Sequence, residues 1–108
     1  MSAPDTLARL AATIAARRSA DPTTSWVAKL HARGLPVIAR KLGEEAVETI
    51  TAALAGTREE LVGEAADTIF HLLVLLDAKG VSLDEVLAEL DRREGTSGIA
   101  EKAARNTD

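Results

Sequence analysis

Residues 41–67, KLGEEAVETITAALAGTREELVGEAAD, contain the end of one helix and the start of the next, almost without a gap. Gly56 is the residue type that commonly follows the last turn of a helix. Thr57 and Glu60 then form the T-x-x-E pattern of a capping box, which opens the following helix. The stretch therefore predicts two long helices joined by a very short connection, which makes them an antiparallel hairpin.

Helix caps and stops of the same kind recur along the 108-residue chain. Serine caps, glycine stops, a proline in a first turn and a possible Asp5 cap mark five predicted helices. These run over 6–17, 26–33, 36–55, from the cap at 57 to 79, and from the cap at 82 to about 94. Strand alternation and internal repeats are absent from the sequence. We predict one all-α domain over residues 1–108, a bundle of about five helices around the long hairpin, with 1–5 and 96–108 as candidate flexible ends.

The composition narrows the class of protein. Hydrophobic residues make up 46% of the chain but aromatics only 2%, which predicts an aliphatic, helix-packed core. The net charge of −4 argues against a non-specific nucleic-acid binder, and the absence of Cys excludes disulfide and thiolate chemistry. With no signal peptide and no transmembrane run, we expect a cytoplasmic protein without a membrane partner. A chain this short buries little surface alone, so we expect a homodimer that completes the bundle.

Four acidic residues are placed symmetrically about the predicted turn. Glu45 and Glu48 on one helix, like Glu64 and Asp67 on the other, are spaced i, i+3 and therefore share a face. Glu48 and Glu64 both lie eight residues from Gly56, and Glu45 and Asp67 both lie eleven. Folding the hairpin at Gly56 therefore predicts that the four carboxylates meet as a square.

Carboxylates at contact distance repel one another unless a cation lies between them. Hard oxygen ligands without His or Cys suit Mg²⁺, which keeps open coordination positions for a substrate phosphate. A di-iron site is disfavoured because it would need E-x-x-H on two helices. The alternative is that these residues are ordinary solvated helix charges. For Glu44, which precedes the cluster, a solvated surface charge and a functional role are about equally good interpretations. For Glu64 and Asp67 the alternative is weaker, because their helix is apolar on nearly every side.

Other residues near the acidic motif leave two interpretations open. Lys41, one helical turn before Glu45, and Lys29 are the first candidates for phosphate binding, although each could be a solvated surface charge. Lys102 in the C-terminal tail is a further candidate. His71 follows Asp67 by one turn and is more simply a satisfied, partly buried histidine than a substrate ligand. Trp26 is more simply a packing anchor than a platform for a base.

The segments SWVAKL from Ser25, KLGEEAVE from Lys41, EAADTIFHLLVLL from Glu64 and SGIAEKAAR from Ser97 resemble the phosphoribosyl-ATP pyrophosphatase family. The E-x-x-E and E-x-x-D pair alone marks only the wider superfamily of all-α nucleoside triphosphate pyrophosphohydrolases. The resemblance implies Mg²⁺-dependent hydrolysis of phosphoribosyl-ATP to phosphoribosyl-AMP and pyrophosphate, the second step of histidine biosynthesis. It also implies site roles, with Glu45, Glu48, Glu64 and Asp67 as metal ligands and Glu44 as a residue that positions water or a second metal. We therefore expect Glu44 and Glu45 to be the catalytic residues. Among the cations, we expect Lys29, Lys41 and Lys102 to bind the substrate.

Two alternatives from the sequence remain beside this function. A house-cleaning pyrophosphohydrolase of the same superfamily would share the acidic square and differ in its base and ribose pocket. A non-catalytic helical interaction module would gain nothing from clustered like charge, which disfavours it.

Overall fold

The computed structural model of the protein describes residues 3–105, which form six α-helices and no strand. The prediction of an all-α fold is confirmed, and four of the helices, α2 to α5, lie where capping residues and glycines place them. The bounds are Ala3–Arg17 for α1, Trp26–Arg33 for α2, Leu35–Ala55 for α3, Arg58–Ala78 for α4, Leu83–Arg93 for α5 and Gly98–Arg105 for α6.

The most extensive helix contact is the antiparallel pairing of α3 with α4. The connection between them is tight. The Gly56 amide donates to the Ala52 carbonyl oxygen at 2.9 Å, and a Cβ atom on residue 56 would lie only 3.1 Å from that oxygen. The predicted capping box is present. The Glu60 amide donates to Thr57 Oγ1 at 3.1 Å, and the Thr57 amide donates to Glu60 Oε1 at 2.7 Å.

The core is small and aliphatic, as the composition predicts. Helix α1 packs on α4 and α2 packs on α3, so that Ile14, Leu30, Ile38 and Val74 are fully buried between them. Helix α2 begins at the predicted cap, where Ser25 Oγ accepts a hydrogen bond from the Ala28 amide at 3.2 Å. These contacts hold α2 against the open end of the hairpin, and Trp26 at the start of α2 reaches His71 and Lys41 near the acidic motif.

Several large apolar side chains of the hairpin are left uncovered by the other helices. The most exposed of these on α3 and α4 are Val47, Ile50, Leu54, Val62 and Ile69. Within the described part of the chain, no helix has both the length and the apolar character needed to cross a membrane.

The N-terminal prediction needs one correction. Helix α1 begins at Ala3, so Asp5 lies inside the helix and is not its N-cap. Pro4 accounts for the earlier start, because proline fits the first turn of a helix, where its missing N–H is not needed. The rest of the predicted flexible ends, residues 1–2 and 106–108, lies outside the described residues.

The C-terminal tail differs more from the sequence-based expectation. Gly98–Arg105 forms a regular helix, α6, whose first turn is capped by Ser97 Oγ accepting from the Ala100 amide at 3.0 Å. The carboxylate of Glu101 is buried and accepts a hydrogen bond from Arg92 of α5 at 2.7 Å. This ion pair joins two consecutive helices across a short connection, at a spacing that fits no single-helix pattern, and it holds α6 beside α5.

Candidate functional site

The hairpin brings three of the four predicted acidic side chains together. One carboxylate oxygen each of Glu45, Glu48 and Glu64 lies within 4.8 Å of the other two. Glu45 is buried, Glu64 is partly buried and Glu48 is exposed, so the cluster opens from the helix interface toward solvent. Such a set of oxygen donors with open access suits a hard divalent cation that keeps room for other ligands.

Glu64 is the electrostatically least satisfied member of the cluster. Its Oε2 atom is buried and has no hydrogen-bond partner. Burial raises the pKa of its carboxyl, and the nearby charge of Glu48 raises it further, followed by smaller contributions from Glu45 and Asp67. A buried carboxylate oxygen without a donor is satisfied by a metal ion, so the residues present fit Mg²⁺.

Asp67 and Glu44 stand apart from this three-residue cluster. Asp67 is exposed and does not join the 4.8 Å group, although its charge is close enough to raise the pKa of Glu64. The predicted square is therefore a triangle of glutamates with the shorter Asp67 side chain beside it. The exposed Glu44 side chain pairs instead with Arg40 at 3.5 Å and Lys41 at 3.3 Å.

The three predicted phosphate-binding lysines occupy different environments. Lys41 lies beside the cluster, with its Nζ atom 4.0 Å from Glu45 Oε1. Lys29 is exposed on α2 and Lys102 is exposed on α6. No hydrogen bond or ion pair between described residues joins either of these two to the acidic cluster, so the geometry favours Lys41 as the cation nearest to a bound phosphate.

His71 and Trp26 form a hydrogen-bonded pair next to the cluster. Trp26 Nε1 donates to His71 Nε2 at 3.2 Å, and His71 Nδ1 lies 2.8 Å from the backbone oxygen of Asp67. His71 is thus a buried histidine with both nitrogens satisfied, as the simpler interpretation predicts. The predicted role of Trp26 as a packing anchor holds only in part, since its side chain is 40% exposed.

Sequence reasoning missed a pair of threonines across the same interface. Thr49 Oγ1 and Thr68 Oγ1 lie 2.8 Å apart, and each also lies 2.9 Å from the carbonyl oxygen four residues earlier, that of Glu45 and that of Glu64 respectively. Each hydroxyl has one hydrogen, so two of these three contacts can be hydrogen bonds at once. The signal was present in the spacing, because each threonine follows a cluster glutamate by four residues and so shares its face. The pair brings together the two helices that carry the acidic cluster.

An open hollow of about 360 Å³ adjoins the cluster on the side of the hairpin turn. It is lined by Glu48, Glu64 and Glu60 and by the small residues Ala52 and Gly56, among others. A small ligand lying there would reach two of the three clustered carboxylates. The cluster is therefore accessible from solvent rather than sealed in the core.

Comparison with known proteins matches this geometry to a family. The model of the family described as phosphoribosyl-ATP pyrophosphohydrolase matches residues 7–94. A protein of Erythrobacter litoralis (strain HTCC2594) named phosphoribosyl-ATP pyrophosphatase is 71% identical over 101 residues, covering 94% of this chain and 97% of the relative. Proteins of the same name from Novosphingobium aromaticivorans and Rhizorhabdus wittichii are 71% and 68% identical over 100 residues, each covering 93% of this chain and 94% of the relative. The chain belongs to the phosphoribosyl-ATP pyrophosphohydrolase family.

Proposed function

We propose that this chain hydrolyses phosphoribosyl-ATP to phosphoribosyl-AMP and pyrophosphate, the second step of histidine biosynthesis. Family membership and the names of the relatives support this substrate. The observation that carries the chemistry is the triangle of Glu45, Glu48 and Glu64, within which Glu64 has a buried oxygen without a hydrogen-bond partner. An anhydride hydrolase needs such a site to hold a cation against the phosphates of its substrate.

The cofactor we propose is Mg²⁺, held by Glu45, Glu48 and Glu64 with Asp67 as a further ligand at the exposed edge. When bound, the ion supplies Lewis-acid stabilisation of phosphate oxygens and a bound water of lowered pKa. Its charge also offsets the repulsion that raises the pKa of Glu64 in the protein alone.

The remaining residues orient the substrate around this centre. Lys41 is placed to neutralise a phosphate oxygen beside Glu45, with Lys29 and Lys102 as outer substrate-binding residues. Glu44 is the candidate to position the water, together with Glu45. The oxygen of that water bonds to the α-phosphorus while the bond from this phosphorus to the α–β bridging oxygen breaks. The bridging oxygen leaves with pyrophosphate, and the water proton passes to a carboxylate.

We further propose that the active form is a cytoplasmic homodimer, in which residues 1–108 act as one domain. The exposed apolar side chains of α3 and α4 support a dimer, because a second copy can cover such side chains and complete the bundle.

Pyrophosphate release tests the proposed activity directly. We expect release from phosphoribosyl-ATP with Mg²⁺, by cleavage between the α- and β-phosphates, and no release in excess EDTA. ATP, dATP, dUTP and dCTP at equal concentration are the controls and should turn over much more slowly. Faster turnover of one of these triphosphates would contradict the proposed substrate, and undiminished activity in EDTA would contradict the metal.

A further inference from the structure

We infer that Trp26 is a positioning residue for Lys41: His71 fixes the edge of its indole ring, and the face of that ring holds the Lys41 ammonium group beside Glu45. The consequence for turnover rests on the proposed function, whereas the arrangement itself is independent of it. Three helices contribute one residue each: α2 contributes Trp26, α3 contributes Lys41 and α4 contributes His71.

The two contacts of His71 select a single form of its ring. A backbone carbonyl can only accept a hydrogen bond, so the Nδ1 atom, 2.8 Å from the Asp67 oxygen, must carry the proton. An indole N–H can only donate, so the Nε2 atom, 3.2 Å from Trp26 Nε1, must be unprotonated. Both contacts require the same neutral tautomer, and Phe70 packs edge-on against the ring with centroids 5.1 Å apart. The buried imidazole is therefore a fixed acceptor for Trp26.

The fixed edge of Trp26 determines where its face points. The Lys41 Nζ atom lies 5.9 Å from the centroid of the indole ring, within the range of a cation–π interaction. A partly exposed tryptophan could adopt several orientations, and the hydrogen bond to His71 selects the one that presents its face to α3. The chain of contacts thus runs from the backbone of Asp67 to the Lys41 ammonium group.

The other partners of Lys41 hold it only loosely. Its Nζ atom is 3.3 Å from Glu44 and 4.0 Å from Glu45, both longer than a charge-assisted hydrogen bond of about 2.7–2.9 Å. An aromatic face attracts the ammonium group without engaging a particular N–H. Lys41 is therefore held near the cluster with its hydrogen-bond donors available to a phosphate oxygen.

A double-mutant cycle between Trp26 and Lys41 tests this role in the full chain. Trp26→Leu should lower kcat/KM for phosphoribosyl-ATP by about three- to tenfold, mainly through KM, because it removes a cation–π contact. In a Lys41→Met background, Trp26→Leu should lower kcat/KM by less than about twofold, because the ammonium group that Trp26 positions is already absent. Trp26→Phe keeps a ring face but cannot donate to His71, so it should recover only part of the loss. Equal losses in both backgrounds would show that Trp26 is merely structural and overturn the inference.

Spectroscopy tests the arrangement without any substrate, since Trp26 is the only tryptophan. Lys41→Met should alter the indole fluorescence, whereas Lys79→Met, at the far end of α4, removes the same charge and should not. His71→Phe should shift the indole N–H resonance toward the position of a group without a hydrogen bond, and His71→Gln should restore part of the shift. Unchanged fluorescence and N–H resonance would overturn the inference. A parent protein that gives these signals but releases no pyrophosphate would refute the proposed function instead.

Discussion

Glu64 shows at the scale of one residue how a binding site conflicts with the stability of the protein that carries it. An oxygen buried without a donor, in a carboxyl whose pKa is raised by burial and by Glu48, destabilises the metal-free fold when it is ionised. Removing one charge from the cluster should relieve that repulsion. It should also remove a ligand, so stability and activity are expected to change in opposite directions.

Glu48→Gln isolates this conflict, because it removes a charge from the exposed edge of the cluster and keeps the shape of the side chain. In EDTA the variant should be more stable than the parent by about 1 kcal/mol, since a like-charge contact is lost. With Mg²⁺ its turnover should fall by orders of magnitude. Chemical unfolding in EDTA and pyrophosphate release measure the two effects.

Glu59→Gln is the matched control for this change. Glu59 is exposed in the first turn of α4, where a negative charge favours the helix, so its removal should not raise stability or affect turnover. If Glu48→Gln is no more stable than the parent protein in EDTA, the clustered carboxylates do not repel one another as the structure indicates. The assignment of Glu48 to the metal site would then be the first step to discard.

At the scale of secondary-structure elements, the parts that sequence could predict are those determined by neighbouring residues. The ends of α3 and α4 follow from Gly56 and the Thr57 cap, and the convergence of Glu45, Glu48 and Glu64 follows from those ends. Which side chains actually touch depends on side-chain length and on the lateral fit of the helices. Equal spacing from the turn could therefore not reveal that Asp67 stays outside the triangle.

Contacts between neighbouring helices could be predicted only in part. The hydroxyl contact between Thr49 and Thr68 depends on how the two helices are rotated about their axes. Helix α6 depends on the burial of Glu101 beside Arg92, and the eight residues of that helix would form at most a marginal helix in isolation. Local propensity could suggest a helical turn there, and only the partner residue makes it a stable element.

Helix α5 contains a carboxyl group, that of Glu89, whose ionisation should make the stability of the fold depend on pH. Glu89 accepts hydrogen bonds from Arg92 at 2.8 and 3.0 Å and from Arg93 at 2.8 Å, and these contacts lower the pKa of its carboxyl to about 2. A carboxyl pKa lower in the folded than in the unfolded state contributes stability above its ordinary value of 4.5. That contribution should be lost as the pH falls from there through about 2.

Carboxyl ¹³C resonances measure this titration residue by residue. The Glu89 signal should titrate with a midpoint near 2, and double replacement of Arg92 and Arg93 by Met should return the midpoint toward 4.5. A midpoint near 4.5 for Glu89 in the parent protein would show that the two arginines do not hold its charged form in solution.

At the scale of the whole molecule, the exposed apolar side chains of the hairpin are the feature that one chain does not account for. Val47, Ile50 and Leu54 are spaced along one stripe of α3 and are 61%, 59% and 83% exposed, and Val62 and Ile69 of α4 are exposed as well. A core with so few fully buried side chains is small for a chain of this length. Both observations are explained if two copies pack their hairpins together about a twofold axis, which buries the same stripe in each.

Leu54 provides the test of that dimer, because its side chain makes little contact within one chain and its replacement should leave the monomer fold intact. We expect the parent to have twice the 11.4 kDa mass of the chain at micromolar concentration by light scattering or sedimentation. Leu54→Lys loses about 1.5 kcal/mol or more of apolar burial in each of two symmetric copies, so it should weaken dimerisation at least about 100-fold. Ile99→Lys makes the same change on α6, where the side chain is 87% exposed, and should leave the mass unchanged. A monomeric parent would contradict the dimer itself, and dissociation by Ile99→Lys in place of Leu54→Lys would move the interface from the hairpin to the C-terminal helix.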